Sequence, residues 1–362
     1  MNENPVATVI ILNWNGWKDT VRCLESLYQS TYRSFIAIVI DNGSEDESVT
    51  KIKAWAKGNL KTDSTLFQYT QRNKPIDIVE YVFSETKTAY SRHTGDGLII
   101  IKNKKNYGFA QGNNIGVACA RQCCNPDYIM FLNNDTVIAP GSLEALIHTA
   151  ESNTQAGACQ PKMLSLAEPD IIDAVGIAPG NLYAGAVQVG YGIRDTGQHK
   201  TPTEIFGACA GAALYRRETL EQIGLFDEKF FAYYEDVDLA LRSRLAGWKA
   251  MLVPEGIVYH AHSATLGMVS PLKTYLLERN RYYYVIKCLP FKLAAQFLVS
   301  RPLFIWRTMR RFLKNGDFRL ALACLKGNIA ALLNIPFLIS RRRIVRSLQS
   351  VSNSEVEGWF KK

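Results

Sequence analysis

The chain is poor in features that would place it in several common classes. A membrane-spanning helix needs about 20 apolar residues in a row. The nearest approach, 320–340, is interrupted by Lys326, Gly327, Asn328, Asn334 and Pro336. Eight cysteines are present, yet none stands in a C-x-x-C pair and no histidine accompanies them at zinc-finger spacing. That excludes a thioredoxin-like redox motif and the common zinc modules; the thiols read as buried and free in a reducing compartment. The run 106–116 places Gly108, Gly112 and Gly116 four residues apart. It therefore lacks the G-x-G-x-x-G turn of dinucleotide sites and reads as a helix that approaches a sheet closely. No basic segment precedes the first apolar run, 6–12, so no secretory signal is read and the catalytic part is expected in the cytoplasm. Acidic residues are scarce at the C-terminal end. Residues 271–362 hold 18 basic and 4 acidic side chains, net +14, while 1–270 hold 24 and 29, net −5.

What is present is a globular composition: 47% hydrophobic and 21% charged over 362 residues, enough for one large α/β domain with an appendage. Apolar strand signals at 9–12, 35–40, 98–101 and 128–132 alternate with helical spacing, as at Val21, Leu24 and Leu27. This pattern predicts a mostly parallel sheet flanked by helices. In such sheets ligands bind beyond the carboxyl ends of the strands. Three polar clusters fall there: Asn13-Trp14-Asn15, Asp41-Asn42-Gly43-Ser44 and Asn133-Asn134-Asp135. Residues 60–96 are polar and irregular and read as an insertion. A helix is expected from Glu235 to Gly247, then a strand over 248–253 closed by Pro254. Beyond 270 the pattern is helical. In 301–314, Ile305, Met309, Phe312 and Leu313 share one face, and Arg307, Arg310, Arg311 and Lys314 the other. The expected division is a catalytic domain over 1–270 and a basic amphipathic helical region over 271–362, with 301–346 against a membrane surface.

Four clusters carry candidate chemistry. Asp41 can accept hydrogen bonds from a base or ribose, or serve only a turn. Asp135 can hold Mg2+ or Mn2+, hard cations that prefer carboxylate oxygen and neutralise a diphosphate; the alternative is a helix cap or polar turn. Glu235, Asp236 and Asp238 crowd three carboxylates into four residues, which needs compensation by a helix N-terminus or a cation. Asp238 can pair with Arg242 one turn on and brace the helix. That leaves Glu235 or Asp236 as a base for an acceptor hydroxyl. His260 can complete a metal shell or simply form hydrogen bonds, and His262 reads as an ordinary histidine. Asn13, Asn15, Asn114, Asn133 and Asn134 are candidates to face a nucleotide-sugar.

In this order the segments 9–16, 38–44, 106–116, 131–136, 211–217, 226–231, 235–242 and 258–260 resemble the family 2 glycosyltransferases of the GT-A fold, with rhamnosyltransferase-like members the nearest in look. The resemblance covers roughly residues 6–265. It implies that Asp41 recognises the nucleobase or ribose, that Asp135 is the surviving carboxylate of an Asp-x-Asp metal motif, that Asp236 is the catalytic base and that His260 ligates the metal. It also implies direct displacement with inversion. The donor expected is dTDP-rhamnose, or else a UDP-sugar, and the acceptor a saccharide or lipid-linked saccharide of a cell-surface polysaccharide. A second copy of the chain is a further candidate partner.

Two other classes compete. A nucleotidyltransferase would need two or more close carboxylates on a metal pair, and Asn133-Asn134-Asp135 supplies one. A nucleic-acid-binding arm would explain the basic tail but not the acidic clusters of 1–270, so no nucleic-acid partner is expected.

Overall fold

The computed structural model describes residues 4–85, 90–91, 97–182, 185–262 and 270–360. The first half alternates β1 (Ala7–Asn13), α1 (Trp17–Leu27), β2 (Phe35–Asp41), α2 (Ser48–Ala56), β3 (Ile78–Val82), β4 (Leu98–Lys102), α3 (Gly108–Cys123) and β5 (Tyr128–Asn133). Strand β1 runs parallel to both β2 and β5, and β4 and β3 extend the parallel set beyond β2. β1 and β2 are buried along almost their whole length. Strands covered on both faces read as continuous apolar runs, which is why they were conspicuous in the sequence. Helix α3 lies close on β1. A Cβ on Gly112 would come within 2.5 Å of Leu12, and one on Gly116 within 2.6 Å of Ile10.

The chain continues through β6 (Thr136–Ile138), α4 (Ser142–Ser152), β7 (Ala156–Ser165), β8 (Ile172–Ala174), β9 (Ile177–Asn181), β10 (Gly185–Gln188), β11 (Thr203–Ile205), β12 (Ala212–Arg216), α5 (Arg217–Ile223), α6 (Glu235–Leu245) and β13 (Lys249–His260). The sheet order is β11-β13-β7-β12-β5-β1-β2-β4-β3. β12 is antiparallel to both neighbours, so the sheet is mixed; five of the eight pairings along this order are parallel. All eight cysteines are free, and all but Cys124 are buried.

Two expectations change. The stretch 60–96 contains β3, the edge strand of the main sheet. Its polar look has a physical cause: β3 is nowhere fully buried, and Lys74 pairs with Glu25 at 3.0 Å with both side chains fully buried. Glu25 also accepts from Trp55 Nε1 at 2.8 Å and from the Thr70 amide at 2.9 Å, which fastens this stretch to α1 and α2. Second, β13 does not stop at Pro254. Its register against β7 shifts between Val253 and Ile257, and such a bulge tolerates a residue that cannot donate to the ladder. The strand then resumes and ends on His260.

The C-terminal helices are α7 (Pro271–Cys288), α8 (Phe291–Lys314), α9 (Phe318–Leu333), α10 (Ile335–Ser347) and α11 (Asn353–Gly358). Tyr282, Tyr283, Tyr284, Val285 and Ile286 of α7 join the same buried core as β1 and β2. In α8, Ile305, Met309 and Phe312 are partly buried, whereas Leu313, expected beside them, is 45% exposed. Among the described residues no single helix is long and apolar enough to cross a membrane. The pair α9 and α10, bent by 61°, passes that test together by length and composition.

Candidate active site

The parallel strands β1, β2 and β5 end side by side, with Asn13 paired to Asp41 and Leu12 to Asn133. Asn13 is fully buried. Its Nδ2 donates to Asp41 Oδ1 at 2.9 Å and to Ser44 Oγ at 3.1 Å, and its Oδ1 accepts from Thr20 at 2.7 Å. These bonds occupy the Asn13 amide, so it orients Asp41 and the first turn of α1. Asn15, in the left-handed region, holds the following loop: its amide donates to Ser44 Oγ and its Oδ1 accepts from the Glu45 amide. Asn134 donates to Thr20 Oγ1 at 3.0 Å. Asn114 donates to the Phe226 carbonyl at 2.8 Å, and its Oδ1 is buried without a partner among the described residues. Asn42, not singled out from the sequence, ties β2 to the start of α3: it accepts from Asn103 and from the Tyr107 amide, and donates to Asn106.

A cluster of carboxylates and imidazoles lies at the next strand ends. His260 Nε2 is 3.1 Å from Asp135 Oδ1, and its Nδ1 is 2.9 Å from Asp173 Oδ2. His262 contacts the other oxygen of Asp173. Burial alone would lower the His260 pKa; the bonds to Asp135 and Asp173 outweigh it and push it up to about 10. Burial alone would raise Asp173, and the two histidines bring it down to about 2. Ligand atoms of Asp173, His260 and His262 lie within 4.8 Å of one another. The better place for a divalent cation is nonetheless the Nε2 side, beside Asp135. The Asp173 side chain is only 1% exposed, and Mg2+ usually keeps several waters. A ligating histidine commonly donates its second nitrogen to a carboxylate, and Asp173 stands there. A cation bound beside Asp135 would take the place of the Nε2 proton. Asn133 completes this side, with its amide 3.5 Å from His260 Nε2.

The third group opens α6. Phe231, Tyr233 and Tyr234 have φ of 65°, 68° and 67°, each a conformation costing on the order of 1–3 kcal/mol for a non-glycine residue. Immediately after them come Glu235 and Asp236. Glu235 is buried, and its Oε2 has no hydrogen-bond partner among the described residues. Burial, then the charges of Asp236 and Asp238, raise its pKa well above the ordinary carboxylate value. Asp236 is half-buried, and burial raises it too, against backbone hydrogen bonds that include the Val237 amide at 2.8 Å. Asp236 Oδ2 also accepts from the Ala210 amide at 3.5 Å, while the next residue, Gly211, accepts from the Asn133 amide at 2.9 Å. The segment 210–211 thus joins the α6 carboxylates to the β5 end. Asp238 is fully buried and accepts from Arg242 Nε at 2.9 Å. Arg242 goes on to cap the carbonyls of Ile223, Gly224 and Leu225.

The sequence reasoning missed Asp173, which lies in a three-residue strand with no pattern to mark it. It also missed Lys287, which pairs with Asp227 and lies 2.9 Å from Asp238.

The mixed sheet thus carries amides and Asp41 at its central strand ends, with a histidine between two carboxylates beside them and a carboxylate-rich helix start joined to both. Solved structures share this fold. GalNAc-T7 with UDP, GalNAc and Mn2+ superimposes with a TM-score of 0.58 at 17% identity, over 83% of this chain and 51% of that one. TarS residues 1–349 from S. aureus, in complex with UDP, gives 0.50 at 15% identity, over 94% and 90%. The model of glycosyltransferase like family 2 matches residues 5–284, and the chain belongs to that family. It is 28% identical over 218 residues to the N-acetylglucosaminyl-diphospho-decaprenol L-rhamnosyltransferase of Mycobacterium tuberculosis, covering 54% of this chain and 62% of that protein. It is 32% identical over 168 residues to rhamnosyltransferase WbbL of Escherichia coli K12, covering 43% and 62%. The chain therefore spans less than two thirds of the length of these relatives.

Proposed function

We propose that this glycosyltransferase is divalent-cation-dependent and inverting, and that it moves rhamnose from dTDP-rhamnose to a hydroxyl of a lipid-linked saccharide in cell-surface polysaccharide synthesis. The observation that carries the proposal is the convergence of Asp135 and His260, 3.1 Å apart, with Asp236 tied to the same strand ends through Ala210 and Gly211. Asp41 would take the base or ribose. A Mn2+ or Mg2+ ion held by Asp135 and His260 would neutralise the diphosphate leaving group. Asp236 would accept the acceptor hydroxyl's proton as that oxygen bonds to the anomeric carbon and the bond from that carbon to the nucleoside diphosphate breaks. Burial raises its pKa, which strengthens it as a base. Glu235, raised further by burial and by the neighbouring carboxylates, would not share that role. The rhamnosyl donor and lipid-linked acceptor rest on the names of the relatives. A UDP-sugar is the second reading, supported by the UDP named with both solved neighbours.

The test is calorimetric titration of dTDP and UDP, with and without Mn2+, into the wild type and Asp135→Ala. The expected result is Mn2+-dependent binding of dTDP, lost in the variant. Tighter binding of UDP would shift the donor to the second reading. Binding of neither nucleotide to the folded protein would sink the metal-dependent transferase.

The same proposal places the enzyme on the cytoplasmic face of an anionic membrane. Along α8 to α10, Trp306, Leu322, Ile329 and Leu333 are 46–77% exposed, and Arg307, Arg310, Arg319, Lys326, Arg341 and Arg343 are exposed on the same helices. Apolar side chains with a cationic rim suit an interface with acidic headgroups. The opposite side of α9 is buried, with Cys324, Asn328 and Ala331 at 0–2% exposure, which favours a helix lying in the interface over one surrounded by lipid. Co-sedimentation with vesicles containing phosphatidylglycerol should be strong at low salt and weakened by Trp306→Glu; equal sedimentation with neutral vesicles, or none at all, would remove the membrane from the proposal.

A further inference from the structure

Asn280 lies in α7, beyond the composition break at 270, where the sequence showed no chemistry. It is fully buried. Its Nδ2 lies 2.9 Å from the carbonyl oxygen of Phe230 and 2.8 Å from those of Ala232 and Tyr233, so its two hydrogens are shared among three acceptors. Its Oδ1 accepts from Arg279 Nε at 2.9 Å, and Arg279 Nη2 in turn donates to the carbonyls of Lys229 and Phe230 at 2.8 Å. One asparagine thus gathers three carbonyls of a five-residue loop. Three residues of that loop, Phe231, Tyr233 and Tyr234, are left-handed. From the other side the Ala110 amide donates to the Phe231 carbonyl at 3.1 Å. Gly108 lies so near that a Cβ there would come within 2.5 Å of the Phe231 ring. The loop is clamped between α3 and α7, and the two residues that follow it are Glu235 and Asp236.

Left-handed backbone at three non-glycine positions persists only where surrounding contacts over-determine it. Here Asn280 supplies the largest group of those contacts. An asparagine suits the task because its amide offers donors to carbonyls while its own oxygen is fixed by Arg279. Valine or leucine would fill the space but leave buried carbonyls unpaired.

We infer that Asn280 is a positioning residue for sugar transfer: through the carbonyls of Phe230, Ala232 and Tyr233 it sets the course of the loop that delivers Asp236 to the acceptor hydroxyl. The inference rests on the transferase role proposed for Asp236. Asn280 is fully buried against the loop, and the proposed donor site at the β1, β2 and β5 ends lies on other elements.

The test compares wild type with Asn280→Ala and Asn280→Ser, the serine keeping one donor, at a temperature where circular dichroism shows each folded. Sugar transfer from the donor that supports wild-type activity is measured together with hydrogen exchange of amides 230–236. Asn280→Ala should lose about 10²-fold in kcat, the scale of a 1 Å misplacement of a catalytic group, with donor KM unchanged. Exchange should quicken at 230–236 and not in β1 or β2, and Asn280→Ser should fall between. Unchanged kcat, or exchange that quickens uniformly across the core, would overturn the inference. If Asn280→Ala does not fold, the serine variant is read by the same two measurements. If wild type transfers no sugar, the proposed function fails, whereas unaltered exchange at 230–236 in a folded variant refutes the clamp itself.

Discussion

Lys287→Met tests how α7 supports α6. The Lys287 ammonium is 2.9 Å from Asp238 Oδ1, pairs with Asp227, and belongs to a residue only 2% exposed. Asp238 is itself fully buried and keeps Arg242 on its other oxygen. Burial alone would raise the Asp238 pKa; Lys287 and then Arg242 outweigh it and hold the carboxyl below its ordinary value. Methionine preserves the length and apolar stem and removes one of two cations. Breaking a buried pair costs about 3–5 kcal/mol, and because Arg242 remains the lower end, about 3 kcal/mol, is expected. In a chain of 362 residues that corresponds to a fall in Tm of about 4 °C. The pH dependence has a definite sign. A carboxylate with a depressed folded pKa contributes stability above its unfolded pKa and loses it as pH falls through the folded one. The variant forfeits that depression, so its deficit is full near about pH 7 and shrinks toward about pH 2, below the ordinary aspartate range. Urea unfolding followed by circular dichroism at both pH values measures this. A deficit below about 1 kcal/mol, within the range of ordinary substitutions, would refute the reasoning, and so would a deficit independent of pH.

Asp236→Asn should lower kcat by about 10²–10⁴-fold while calorimetric donor affinity stays intact, and in wild type kcat should fall on acidification from a higher pH than an unperturbed aspartate would give, since burial raises Asp236; near-wild-type turnover would remove it as the base. Asp173→Asn should weaken Mn2+ affinity by about 10–100-fold, the usual effect of losing the carboxylate behind a ligating histidine, as read by the paramagnetic resonance of free Mn2+. Affinity unchanged would mean that Asp173 does not orient His260.

The parts legible in the sequence share a property: each is local. β1, β2, β4 and β5 are apolar runs that fill their own strands. Asp41, Asn133 and Asp135 were found because a polar residue directly after such a run lies at a strand end. The Asp238–Arg242 spacing is visible within a single helical turn. Where a local rule met a long-range exception, the rule failed. Pro254 signals a strand end, yet the bulge against β7 lets β13 carry on to His260. The residues around Thr70 and Lys74 look irregular because their order comes from Glu25, far away in α1.

What stayed hidden is pairing across distance. Asp173 and His260 are 87 residues apart, and Asn280 reaches carbonyls up to 50 residues earlier. No periodicity can announce such contacts, because a backbone carbonyl carries no residue identity for a pattern to record. The same limit explains the composition break near 270. Charge and exposed apolar residues change there because they describe a surface, and that surface does change, from acidic to basic. The core has no such break: Tyr282 and Tyr284 of α7 are buried with β1 and β2, Lys287 neutralises Asp238 of α6, and Asn280 shapes the loop before Asp236. A truncation at 270, which composition alone would suggest as a catalytic fragment, would therefore leave Asp238 short of a cation and the left-handed loop without its clamp. Helix α6 depends on α7 for its geometry, and α7 in turn packs against α9 and α10, so the elements nearest the proposed membrane face and those nearest the proposed chemistry are joined by one helix.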